Sequence, residues 1–195
     1  MRRAALLLAA GALWAAAAGA QPAQTYAQRY AALCATCHGG NGRSEMAGTP
    51  SLAGQPGFYV VTQLFLFREG RRDNEAMTAV AKSLSDDDLR GFSELVGKMT
   101  PVPAPALAPV PDPARMARGK ALVSQHLCVN CHGADLGGGE QVARLAGQRE
   151  DYLALALKEF KAGKRVGYTP AMSEALGGLA AVDLDTLAHY LAHLP

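Results

Sequence analysis

Cys34-Ala35-Thr36-Cys37-His38 returns 94 positions later as Cys128-Val129-Asn130-Cys131-His132. Two thiols three residues apart share one side of a helical turn, the spacing at which both can form thioethers with the vinyl groups of one haem. The histidine that follows is then aimed at the iron, so five residues supply two covalent anchors and an axial nitrogen. Zinc takes the same ligand types, but a site merging four thiolates from two distant halves leaves both histidines unexplained. A redox dithiol belongs in an alternating strand and helix pattern, which this chain does not show. The four cysteines of an exported chain are also compatible with two disulfides, which explain the spacing no better. The motifs therefore predict two covalently bound haem c groups. One is attached through Cys34 and Cys37 with His38 on its iron, the other through Cys128 and Cys131 with His132.

The 195-residue chain opens with Met1-Arg2-Arg3, runs through apolar residues from Ala4 to Ala18 and reaches Ala18-Gly19-Ala20. A charged start, a short hydrophobic core and small residues at the end predict a cleaved secretory peptide over 1–20. The run is Ala-rich, interrupted by Gly11 and short for a bilayer span, which makes an uncleaved anchor the lesser reading. No later stretch is long and apolar enough to span, so the mature chain is expected to be soluble or peripherally attached to a membrane. Of the 19 Lys and Arg residues, Arg2 and Arg3 leave with the leader, so 17 basic side chains face 17 acidic ones. Without a basic field there is no case for nucleic acid as a partner.

The chain repeats itself. Leu52-Ala53-Gly54-Gln55 is answered by Leu145-Ala146-Gly147-Gln148 at an offset of 93, and Tyr59, Phe67, Gly70 and Arg72 by Tyr152, Phe160, Gly163 and Arg165 at the same offset. Each half begins with a helix leading into its Cys-x-x-Cys-His motif, passes through a Gly-rich loop, and continues into an apolar helix ended by glycine. Each ends in a helix with apolar residues at matching spacing: Leu89, Phe92, Val96 and Met99, then Leu184, Leu187, Leu191 and Leu194. Ser85-Asp86-Asp87-Asp88 has the form of a capping box. Between the halves, six of the thirteen residues from Pro101 to Pro113 are proline, which predicts an extended linker. The expected organisation is all-α, a tandem duplication with domains over 21–100 and 114–195 joined by a linker over 101–113. Small domains bury little surface unaided, so each haem is expected to form much of its core.

A haem iron with two protein ligands is closed and carries electrons, whereas one with a vacant position binds small molecules. Met77 and Met172 are the methionine pair in register downstream of the motifs, each followed by a leucine seven residues on and an aspartate eleven on. They are expected in matching loops as the sixth ligands. Met46 is too close to His38 to cross the haem, Met99 and Met116 have no counterpart, and His126 precedes its motif. His189 and His193, four apart on the last helix, have the spacing of a metal pair; the ordinary reading is a solvated pair near a helix C-terminus.

With both haem motifs, both Leu-Ala-Gly-Gln stretches, the Phe-x-x-Gly-x-Arg elements ending at Arg72 and Arg165, and Met77 and Met172, residues 21 to 195 resemble the dihaem cytochromes c4, which are tandem class I cytochromes c. The resemblance implies two His/Met haems and a periplasmic setting. It also implies electron delivery from a respiratory quinol oxidoreductase towards a haem-copper terminal oxidase. In class I cytochromes a proline carbonyl accepts a hydrogen bond from the proximal histidine. Pro50 suits that role, but the matching residue in the second half is Ala143. The family's terminal-helix aromatic is matched by Tyr190, against Leu95 in the first half. These departures predict two inequivalent sites. The reading is an electron carrier with redox proteins as partners and no substrate of its own. Two alternatives stand beside it: the haem subunit of a dehydrogenase complex, and a dihaem peroxidase, which needs an open iron.

Overall fold

The computed structural model describes residues 24–104, 110–167 and 170–195; the leader at 1–20 and the middle of the linker lie outside the described residues. The first half contains α1 (Tyr26–Leu33), α2 (Ala35–His38), α3 (Gly57–Arg68), α4 (Glu75–Ala81) and α5 (Asp86–Lys98). The second contains α6 (Pro113–Gln125), α7 (Val129–His132), α8 (Glu150–Lys161), α9 (Ala171–Leu176) and α10 (Ala181–Ala192). No strand is present among the described residues, so the all-α expectation holds.

Local chemistry sets the helix starts. Thr25 with Gln28, and Ser85 with Asp88, close capping boxes over the exposed N–H groups of α1 and α5. Asn74 caps α4, and Asp112 caps α6 ahead of Pro113, whose missing N–H costs nothing in the first turn. The apolar stripes then decide packing. In the first half α5 lies against α1 and α3, burying Leu89, Phe92 and Val96 with Tyr30 and Val60. In the second α10 lies against α6 and α8, burying Leu184, Leu187 and Leu191 with Leu122, Leu153 and Leu157. Although α3 is apolar on most sides, it is not buried all round, since Phe58 is 57% exposed and Phe65 39%.

The Phe-x-x-Gly-x-Arg elements acquire a structural reason. After α3 the chain turns at Gly70, and Arg71 and Arg72 return their N–H groups to the carbonyl of Leu66. That turn lays the Arg72 guanidinium over Phe67, 4.5 Å from the ring centre, and the same turn lays Arg165 over Phe160 at 4.9 Å. The halves meet around these arginines. Arg72 donates to the Tyr152 hydroxyl at 2.9 Å, Arg149 to the carbonyl of Ser44 at 3.2 Å, and the Gly48 N–H to Asp151 at 2.9 Å. Burial raises the Tyr152 phenol, but Arg72 and Arg165 outweigh it and hold it below the usual tyrosine range. The start of the linker is pinned between the halves, with Pro101 against Gly54 and Pro103 against Gly147. The Ala104 N–H donates to the Gly147 carbonyl at 2.7 Å.

Candidate haem centres

Each Cys-x-x-Cys-His motif folds as one helical turn. Cys34 stands at the N-cap of α2 and His38 is its last residue; Cys128 and His132 hold the same places on α7. Cys37 and Cys131 are exposed, Cys34 and Cys128 half-buried, and no disulfide joins them. Burial pushes the Cys34 thiol up to about 11 against the opposing charge of Arg29, and raises Cys128 as well. A catalytic redox dithiol has the opposite shift, a thiol depressed by nearby positive charge or a helix N-terminus.

The two histidines are held alike. His38 Nδ1 lies 2.8 Å from the Pro50 carbonyl oxygen, and His132 Nδ1 lies 2.9 Å from that of Ala143. A carbonyl can only accept, so Nδ1 carries the proton in both rings and Nε2 is left with a lone pair. Burial holds both imidazoles below their ordinary value against the raising effect of that hydrogen bond, which keeps Nε2 unprotonated at neutral pH. This is the tautomer an axial ligand needs. Ala143 therefore makes the same contact without a proline ring.

Met77 and Met172 are found on short helices, α4 and α9, instead of the loops expected for them. Asn74 accounts for the first, because its side chain accepts the Met77 N–H at 2.9 Å and starts the helix just before it. Both methionines are half-buried, and Met172 packs against the core of its half. Met46 is 45% exposed, and Met99 packs against the first core.

The solvated reading of His189 is overturned: it is 2% exposed. The Asp112 N–H donates to its Nε2 at 3.0 Å, so its proton is on Nδ1, which faces Glu150 at 3.2 Å. Glu150, His189 and His193 bring ligand atoms within 4.8 Å of one another. With both His189 nitrogens engaged in hydrogen bonds, however, that ring has no lone pair to give an ion. His189 is a structural tie that fastens the start of α6 to α10.

A further element was missed at the sequence level. The chain enters the second motif with one residue more than the first: the Cys34 N–H returns four residues to Tyr30, the Cys128 N–H five to Val123. Leu127 takes up the extra residue with a φ of 54°. The offset before the motifs is then 93, which pairs Tyr26 with Gly119. The offsets legible in the sequence, 94 at the motifs and 93 beyond them, both lie downstream of the extra residue and carry no signal of it.

Residues 21–94 match the family described as cytochrome C oxidase, cbb3-type, subunit III, and residues 116–195 match cytochrome c. Cytochrome c4 of Thiocapsa roseopersicina is 30% identical over 173 residues, a span of 83% of this chain and 87% of the relative. The chain belongs to the dihaem cytochrome c4 family. The crystal structure of reduced recombinant cytochrome c4 from Pseudomonas stutzeri is similar with a TM-score of 0.77 at 27% identity, covering 87% of this chain and 97% of that one. A second kind of relative, the thiosulfate dehydrogenase electron acceptor of Thiomonas intermedia (strain K12), is 36% identical over 146 residues. That match spans 70% of this chain and 66% of the relative. As a cytochrome c4 family member the protein carries two covalent haem c groups, one in each half, and is a dihaem electron carrier. The donor set fits such groups: each motif offers two thiols and a neutral imidazole whose Nε2 is available.

Proposed function

We propose that this chain is a periplasmic electron carrier in a respiratory chain, without substrate chemistry of its own. In this reading the leader over 1–20 is removed on export, and the domains run over 21–100 and 114–195. His38 and Met77 hold the iron of the first haem, His132 and Met172 that of the second, with Cys34, Cys37, Cys128 and Cys131 as anchors. The haems supply reversible one-electron redox chemistry. The protein's part is to fix each histidine tautomer through the Pro50 or Ala143 carbonyl and to bring a soft thioether from α4 or α9, which favours the reduced iron. Two ligands per iron leave no open position for a substrate. The observation that carries the reading is the matched pair of imidazoles, each with Nδ1 on a backbone carbonyl at 2.8 and 2.9 Å.

Donor and acceptor are proposed as a quinol oxidoreductase and a terminal oxidase, the partners that the family resemblance implies. They meet the carrier in solution or peripherally at the membrane; no helix among the described residues is long and apolar enough to cross it. A second reading, in which a dehydrogenase reduces this protein directly, is favoured by the similarity to the Thiomonas intermedia protein named as an electron acceptor of thiosulfate dehydrogenase. Optical and magnetic spectra of the purified protein test the ligand sets. The oxidised form is expected to show the near-infrared sulfur-to-iron band, and the reduced form to bind carbon monoxide poorly. Rapid carbon monoxide binding at either haem would instead support a peroxidase. Stopped-flow reduction by a quinol oxidoreductase or by a thiosulfate dehydrogenase separates the two donor readings.

A further inference from the structure

The glutamines that end the two Leu-Ala-Gly-Gln stretches cross between the halves in a reciprocal pattern. Gln148 of the second half grips the backbone of Ser51 in the first: its Oε1 accepts the Ser51 N–H at 2.7 Å and its Nε2 donates to the Ser51 carbonyl at 2.8 Å. Gln55 grips Arg144 in the same way, its Oε1 accepting the N–H at 3.1 Å and its Nε2 donating to the carbonyl at 2.9 Å. Both glutamines are 5% exposed. Each amide orientation is fixed, because the backbone groups it meets are one donor and one acceptor.

The N–H of Ser51 belongs to the same peptide unit as the carbonyl of Pro50, and the N–H of Arg144 to the same unit as the carbonyl of Ala143. A continuous chain of hydrogen bonds therefore runs from His38 Nδ1 through one peptide group to Gln148, and another from His132 Nδ1 through one peptide group to Gln55. A peptide whose N–H is engaged is polarised, and its carbonyl becomes a stronger acceptor. A stronger acceptor at Nδ1 makes the imidazole a more electron-rich ligand, which stabilises oxidised iron.

We propose that Gln55 and Gln148 are positioning residues through which each domain tunes the axial histidine, and so the reduction potential, of the other. This rests on His38 and His132 being the axial ligands. The effect is larger at the first haem, where the glutamine contact is 2.7 Å against 3.1 Å. It makes the interface part of the redox chemistry: whatever loosens the halves raises both potentials.

The test uses the full-length holoprotein with ¹⁵N-labelled histidine, read by NMR in the reduced state together with a redox titration that resolves the two haems. In the unsubstituted protein, His38 and His132 ring protons shifted strongly upfield by the haem establish that they are axial; without that shift the ligand reading itself fails. Given the shift, Gln148→Leu, which leaves the charge unchanged, should move the His38 Nδ1 proton upfield and raise the potential of the first haem, with His132 and the second haem unmoved. Gln55→Leu should do the mirror image with a smaller shift. Gln148→Glu keeps an acceptor for the Ser51 N–H and should move the His38 proton the other way, which also provides the test if the leucine variant gives no holoprotein. The proposal is overturned if Gln148→Leu shifts both haems alike, shifts the haem of its own domain, or leaves the His38 proton in place, or if Gln148→Glu leaves that proton in place when the leucine variant gives no holoprotein.

Discussion

The two halves make the same helix crossing from opposite sides. In the first, α1 supplies the aromatic residue and α5 the glycine: Tyr26 lies over Gly91, its ring edge-on to Phe92 at 5.2 Å and its hydroxyl on the Asp87 carbonyl at 2.9 Å. In the second, α6 supplies the glycine and α10 the aromatic residue, with Gly119 against Tyr190. A β-carbon at either glycine would run into the facing tyrosine. What is preserved is the close approach of two helices under an aromatic side chain; which helix carries which residue is free to change. Leu95 is therefore not a missing aromatic, because Tyr26 fills that place from the other helix.

A second contrast concerns backbone strain. In the first half the carbonyl of Gly42 accepts the Leu52 and Ala53 N–H groups, and its φ is 78°. In the second half that place belongs to Leu136, which accepts from Leu145 and Ala146 at a φ of 56° and is 3% exposed. Left-handed backbone costs a non-glycine residue on the order of 1–2 kcal/mol, and burying a leucine side chain contributes about 1.5–3 kcal/mol. The second half accepts the strain because the side chain fills its core.

The largest expected effect comes from filling the tight crossing. Gly119→Ala meets the Tyr190 β-carbon and the Thr186 carbonyl, neither of which moves without α10. Overpacking of about 3 kcal/mol, less the gain of about 1 kcal/mol from replacing glycine in a helix, predicts a loss of roughly 2 kcal/mol in denaturant titration of the holoprotein. Gly91→Ala meets only the outer ring atoms of Tyr26, which can swing aside. Its loss should be smaller, under about 1 kcal/mol by the same balance.

Rescue sharpens the contrast. Tyr26→Ala removes the ring that obstructs Gly91→Ala, so the double variant should be no less stable than Tyr26→Ala alone. Tyr190→Ala keeps the β-carbon and should leave most of the Gly119→Ala loss in place. Equal rescue in both halves would show that the two crossings are equivalent.

Acid should act more weakly. The hydrogen bond from Arg29 holds the Asp88 carboxyl well below the usual carboxylate range, despite some burial that raises it. A carboxyl depressed in the folded state contributes stability that is present above its unfolded value and is lost as pH falls through the folded one. Below about pH 4 the first half should therefore lose stability, and Asp88→Asn should flatten that part of its acid-unfolding profile. A profile unchanged by the substitution would remove Asp88 as a cause.

The smallest effect is expected at Ala143. Its carbonyl already lies 2.9 Å from His132 Nδ1, against 2.8 Å for Pro50 and His38. Ala143→Pro should therefore leave the potential of the second haem nearly unchanged in a redox titration. A clear shift confined to that haem would restore the proline ring as a source of inequivalence.

Spacing alone determined a good deal of this protein. Two thiols and a histidine within five residues define a haem anchor wherever they stand on a helical turn, and a fixed offset between Leu52-Ala53-Gly54-Gln55 and Leu145-Ala146-Gly147-Gln148 defines a duplication. Capping at Ser85 and the stripe from Leu89 to Val96 likewise depend on neighbours along the chain. Met77 and Met172 are paired by register, but their short helices are not legible, because a short helix started by a single Asn74 cap has little periodicity to see. Only the tertiary structure decided what long-range contacts decide. Phe58 and Phe65 lie on an exposed side of α3, His189 is buried under Asp112 and Glu150, and the tyrosine changes helix between the halves. Gln55 and Gln148 each find their partners in the other domain. The sequence shows these residues as a pattern of polarity, whereas their burial and their hydrogen-bond partners are set by segments 39 to 97 positions away, a distance at which local spacing carries no information.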